Sequence, residues 1–213
     1  MGARVGRTFC SRVSAWCLAA AIALACVFSN PASAAEPRVL LLRGWFGVFS
    51  TGLDGIADAL KANGINAEVA GHLYWETAVA DIIRERAEGK VRPLVLVGHS
   101  QGANNVIDMA RALQAHNIQV DLLVTLAPFM QNPIPANVAH AIDYYQSPGW
   151  GAPLEPDRGF HGILQNINMD GDWGANHMNV DKNARVQNDI LREVITLSKA
   201  PAQRTKVSAA NRG

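Results

Sequence analysis

The chain predicts an α/β domain: a mostly parallel sheet with helices on both faces and no cap domain. Three observations carry this. Short β-rich runs alternate with longer stretches of helical periodicity from residue 38 to residue 198, the pattern of a parallel sheet wrapped by helices. Leu94 to Val97 is apolar at every position, as a strand covered on both faces must be. That run passes directly into Gly98-His99-Ser100-Gln101-Gly102, and a helix-like stretch follows.

The elements follow in order. Arg38 to Arg43 is a strand with Val-Leu-Leu-Leu at its centre. Leu53 to Asn63 repeats apolar residues at helical spacing (Ile56, Ala57, Leu60) and stops at Gly64. Asn66 to Ala70 is the second strand, Thr77 to Ala87 the second helix, and Leu94 to Val97 the central strand. The helix after Ser100 runs to about Ala115, and Asp121 to Leu126 forms the next strand. Asn137 to Tyr145 and Ile163 to Ile167 are the last two strands. Asp181 to Ser198 closes the domain as one amphipathic helix, with Val186, Ile190, Leu191, Val194 and Ile195 on its inner side. The connection from Leu126 to Asn137 is short and broken by Pro128, Pro133 and Pro135, too short for an inserted lid. The Gly- and Pro-rich loop from Ser147 to His161 is expected to form a pocket wall.

The two ends read differently from the middle. Arg4, Arg7 and Arg12 precede an apolar stretch from Val13 to Phe28, and Ala32 and Ala34 then give an A-x-A pattern. A basic start, an apolar centre and small residues before the cut describe a secretory signal over residues 1–34, cleaved after Ala34. The apolar run is short for a lasting span of about 20 residues, so no stable membrane insertion is expected after cleavage. Export to the periplasm or the medium follows from this. Cys10, Cys17 and Cys26 all lie in the signal, which leaves the mature chain without a disulfide, a thiolate metal site or a cysteine nucleophile. Residues 35–198 form the single domain, and 199–213 form a basic tail expected to be disordered. Removing the signal leaves 16 basic against 18 acidic residues, a net charge of −2, which gives no ground for nucleic-acid binding by bulk charge.

The five residues Gly98 to Gly102 give G-x-S-x-G at a strand-to-helix junction. Residues without side chains allow the strand and helix to approach closely enough to hold a serine on a strained turn. In this the chain resembles the small bacterial α/β-hydrolases of the lipase or thioesterase-like kind. The resemblance covers most of the mature sequence. It is carried by Leu42 to Gly52 (Leu-Arg-Gly-Trp-Phe-Gly-Val-Phe-Ser-Thr-Gly), Gly98 to Gly102, Val124 to Pro128 and His177 to Lys182.

The resemblance implies a serine nucleophile at Ser100 and a histidine base near the C-terminal end, with the acid between them in the chain. A serine hydroxyl needs a base during attack, and a neutral imidazole suits that task. His177 follows the last strand and precedes the last helix, so it is preferred over His161. The acid stays open between Asp143, near the end of a strand, and Asp157, in the long loop after it. Related sequences often carry Asp-Pro where this chain has Ala127-Pro128. The oxyanion donors are the backbone N–H of Gln101, at the helix start, and that of Trp45, with Phe46 as its neighbouring alternative. No His-x-x-x-His or Cys spacing suggests a metal, and no cofactor is expected. The expected activity is hydrolysis of carboxylic esters or thioesters on a small-molecule or lipid-like substrate. A binding scaffold that has lost an effective triad and an amidase or peptidase are the alternatives.

Overall fold

The computed structural model describes Gly2 and residues 36–90, 92–147, 151–172 and 174–200. The expected signal peptide, apart from Gly2, with its three cysteines and the tail from residue 201 onward lie outside the described residues. Six parallel strands form one sheet in the order β2-β1-β3-β4-β5-β6. They are β1 (Arg38–Arg43), β2 (Ala67–Gly71), β3 (Leu94–His99), β4 (Leu122–Leu126), β5 (His140–Tyr145) and β6 (Ile163–Asn168). Among the described residues four helices cover it: α1 (Gly52–Ala62), α2 (Trp75–Ala87), α3 (Gln101–Gln114) and α4 (Ala184–Lys199).

Alternation along the central strands divides the core in two. Val39 and Leu41 of β1 with Val95 and Val97 of β3 pack under α1 and α4, against Leu53, Ile56 and Leu60 and against Val186, Ile190 and Val194. Leu40, Leu42, Leu94 and Leu96 face the other way, onto Ala78 and Ile82 of α2 and Val106, Ile107 and Leu113 of α3. Side chains of a strand point to opposite faces in turn, so an unbroken apolar run can feed both layers. Helices α1, α2 and α4 contribute one stripe each, at three- and four-residue spacing, whereas α3 is buried at every position from Gly102 to Ile107.

The strand order reverses between β1 and β3. The chain leaves β1 towards β2 on one side and leaves β3 towards β4 on the other. Such a switch point opens a crevice outside the carboxyl ends of the two strands, the usual ligand position in open α/β sheets.

Several expected boundaries move for local reasons. The strand expected from Asn137 begins at His140, and Val138 makes only an isolated bridge to Val120. The single closing helix expected from Asp181 is two pieces. Val180–Lys182 form a 3-10 turn, and Asn183 then caps α4 by accepting from the N–H groups of Arg185 and Val186. That helix runs through Lys199, one residue into the expected tail. The Ser147–His161 loop, where described, packs elsewhere than the pocket expected of it: Leu154 pairs through its backbone with Asn166 of β6, and Pro156 bridges Ile134.

Candidate active site

Ser100 stands at the end of β3 with φ 59° and ψ −123°, a conformation side-chain-bearing residues adopt only under constraint. The constraint is steric and hydrogen-bonded. A Cβ on Gly98 would lie 2.3 Å from the carbonyl oxygen of Gly102, and one on Gly102 would lie 2.1 Å from that of Leu42. Strand and helix therefore cross at a spacing that only glycine permits. The Ser100 N–H donates to the Leu126 carbonyl at 2.9 Å, which fixes the turn to β4.

His177 comes from the segment between β6 and the 3-10 turn. Its Nε2 lies 3.0 Å from the Ser100 Oγ, so the two residues expected from sequence are brought into hydrogen-bond contact. His161, the other late histidine, is exposed just ahead of β6. Burial pushes the His177 pKa down to about 4, and neighbouring His99 adds to the effect. The imidazole is therefore neutral at neutral pH and able to accept a proton.

The two expected acids are held elsewhere. Asp143 is fully buried on β5 and its Oδ1 accepts from the Thr125 hydroxyl at 2.7 Å. Alternation explains its direction. Ile142 and Tyr144 face the α1/α4 layer, where Ala175 and Val180 flank the His177 segment, so Asp143 between them projects to the opposite face. Burial raises its pKa to about 7 despite the threonine bond. Asp157 pairs with Arg111 of α3 at 2.6 Å on the surface, which holds its carboxyl below the usual range. Asp170, Gly171 and Asp172 form a turn, with Gly171 at φ 83°.

The loop after β1 supplies the facing wall. A Cβ on Gly44 would fall 2.8 Å from the Ser100 Cβ, so this backbone packs directly on the serine. Phe46 and Gly47 both take positive φ, 62° and 65°, and turn the loop sharply around residues 45–47. Gln101 is the first residue of α3, so its N–H has no intrahelical acceptor and points out of the positive end of the helix. A cleft of about 180 Å³ opens above the serine. It is lined by Trp45, Phe46, Phe49, Phe129 and Met178 together with Ser50, His99 and His177. Phe129 stacks between Trp45 at 5.2 Å and the edge of His177 at 5.3 Å. No charged side chain lines the cleft among the described residues.

Ser50, Asp181 and Asn104 are contributors that the sequence did not point to, and they join His99, which was expected to hydrogen-bond near the serine turn. Ser50 and His99 hydrogen-bond at 2.8 Å, and His99 Nε2 reaches the His177 carbonyl at 2.7 Å. Asp181 is fully buried and accepts from the Gly52 N–H at the start of α1. Burial raises its pKa, while His99 acts to lower it. Asn104, buried on α3, accepts from the Phe129 and Met130 N–H groups and donates to the Met130 carbonyl, which pins the Phe129 loop. Its one available signal was a polar Asn-Asn pair (Asn104, Asn105) inside an otherwise apolar helix face.

Among the described residues no cluster of three or more His, Cys, Asp or Glu side chains is placed to hold a metal ion. The strand order, the glycine-flanked serine turn and the serine–histidine contact together make the chain α/β-hydrolase-like. No protein-family model and no curated protein matches it. Solved structures similar to it include an alpha/beta-superfamily protein of Xanthomonas campestris pv. campestris, 18% identical, covering 73% of this chain and 98% of that one at a TM-score of 0.40. The type II thioesterase BorB from the borrelidin biosynthetic cluster is 12% identical, covering 75% and 93%, with a TM-score of 0.49. A cutinase-like protein from Cryptococcus sp. is 14% identical, covering 80% and 98%, with a TM-score of 0.48.

Proposed function

We propose that the chain is an exported serine hydrolase that cleaves carboxylic ester or thioester bonds through an acyl-enzyme on Ser100. The observation that carries this reading is the 3.0 Å contact between the Ser100 Oγ and a buried, neutral His177 Nε2 at the sheet's switch point. As the Oγ–carbon bond forms, His177 takes the hydroxyl proton. The carbonyl oxygen becomes an oxyanion facing the N–H groups of Gln101 and Trp45. Collapse breaks the bond to the alcohol or thiol, which leaves with the proton from His177. Water, deprotonated by the same imidazole, then releases the acid and restores the serine. The uncharged aromatic and thioether lining of the cleft favours an apolar acyl group. The basic, apolar and small-residue pattern of residues 1–34 supports export, and among the described residues no helix is long and apolar enough to cross a membrane.

A fluorophosphonate probe and a short p-nitrophenyl ester test the reading together. Labelling at Ser100, and loss of both labelling and turnover in Ser100→Ala, is the expected result. A folded wild-type protein that takes no label would instead favour the scaffold reading, for which the hydrogen bonds of Asp143 and Asp157 to Thr125 and Arg111 speak. Amide hydrolysis ranks behind ester hydrolysis, because a poor leaving group asks more of the base.

A further inference from the structure

His99 precedes the serine and takes no part in the proton transfers above, yet both of its ring nitrogens are committed. Its Nε2 lies 2.7 Å from the backbone carbonyl of His177. A carbonyl only accepts, so Nε2 carries the proton and donates. In the neutral ring Nδ1 is then a lone pair, and Ser50, 2.8 Å away, donates its hydroxyl there. That leaves the Ser50 oxygen free to accept from the Gly44 N–H at 3.0 Å. The result is one directional chain, from the Gly44 N–H through Ser50 and His99 to the main chain of the base. Ser50 and His99 are each 1% exposed, so water does not compete for these bonds.

We propose that His99 is a positioning residue that ties the oxyanion loop, through Ser50 and Gly44, to the main chain of the base at His177. The inference rests on the reading of Ser100 and His177 as the reacting pair. Three separate stretches of chain must meet at the serine: the loop from 44 to 50, the end of β3, and the segment around 177. His99 is covalently next to the serine and hydrogen-bonds both of the others, so their positions are referenced to one ring. Asp181 makes a second tie between the same two partners, because it holds the Gly52 N–H just beyond the loop, at 2.7 Å. A misplacement of about 1 Å at a reacting centre can cost about 100-fold in rate, so a brace of this kind acts on turnover more than on substrate affinity.

Three variants test this: His99→Leu keeps bulk but removes both nitrogens, His99→Gln keeps one acceptor and one donor, and Ser50→Ala cuts the link to Gly44. For each, kcat and KM on p-nitrophenyl butyrate, the rate of fluorophosphonate labelling and the melting temperature are measured. We expect kcat and labelling to fall about 10- to 100-fold in His99→Leu with KM within about 3-fold, and about 10-fold in Ser50→Ala. His99→Gln should recover most of the loss, and the Ser50→Ala/His99→Leu double variant should be no slower than His99→Leu alone. Wild-type kcat in folded Ser50→Ala and His99→Gln together with an unaffected or merely less stable His99→Leu would overturn the brace. So would losses that fall wholly in KM. If His99→Leu does not fold, Ser50→Ala decides by itself: a folded protein with wild-type labelling rate ends the proposal. Absence of label on the wild type would sink the serine-hydrolase reading instead, so the two failures are distinguishable.

Discussion

Two buried polar clusters lie close together in this sheet, and their surroundings drive their protons in opposite directions. At the carboxyl ends of β1 and β3, Ser50, His99, Ser100 and His177 form a continuous set of hydrogen bonds beneath an open cleft. Next to it, Thr125 and Asp143 sit inside the sheet, where Thr125 is in register with Gly98 on one side and Asp143 on the other. Burial lowers the His177 pKa to about 4 and keeps a base neutral, whereas it raises that of Asp143 to about 7 and leaves a carboxyl half neutral near physiological pH. A buried charge-bearing group thus acquires its chemistry through its position on the strand. One residue of register decides which face it reaches.

Ser100→Ala should break the first cluster outright, lowering ester turnover at least about 1,000-fold; kinetics of the purified variant check this, and wild-type rates would detach the cluster from the chemistry. Gly102→Ala attacks the same cluster through the backbone. A Cβ there overlaps the Leu42 carbonyl at 2.1 Å, so thermal unfolding should show a loss of about 3 kcal/mol or no folded protein; an unchanged melting temperature would mean that the serine turn has slack.

The pH profile sharpens the contrast. An imidazole that titrates at about 4 stays a competent base down to roughly pH 5 and is half protonated near pH 4, below which kcat/KM should drop about tenfold per pH unit. An acid limb centred between pH 6 and 7 would show that the ring is not held neutral by burial. Asp143→Asn probes the other cluster. Asp143 is protonated in both states at low pH, and above its folded value the wild type bears a buried charge. The variant's stability relative to wild type should therefore grow as pH rises from about 4 to about 7, by an order of a few kcal/mol, and level off above that, with kcat unchanged within about 2-fold. Denaturant melts at pH 5 and pH 8 measure it, and a parallel loss of kcat would reinstate Asp143 as the acid. The smallest effect belongs to the cleft: Phe49→Ser should cut the preference for octanoyl over acetyl p-nitrophenyl esters a few-fold, and an unaltered ratio would place the acyl group elsewhere.

What the sequence made legible follows from the range of the forces involved. The strands, the helix stripes and the Gly98–Gly102 turn are local patterns, and they appear within a residue or two of their expected places except at the starts of β5 and α4, which move by three. Ser100 and His177 could be named because their types and chain positions are distinctive. The acid could not, because Asp143 and Asp157 differ in which face or partner they meet, and neither the pairing with Thr125 nor that with Arg111 leaves a mark in nearby sequence. Ser50 and Asp181 were invisible for the same reason: each matters through a partner 49 or 129 residues away. The closing helix starts at Ala184 and not at Asp181, because Asp181 is drawn to α1 and Asn183 begins the helix afresh.

The bond between Asp181 and Gly52 spans most of the folded chain, and the Ser100 turn leaves no steric allowance. Activity in such a molecule doubles as a thermometer of cooperativity. As the temperature is raised, turnover and far-ultraviolet ellipticity should vanish along one curve, since a partly melted protein has already lost the meeting of its distant segments.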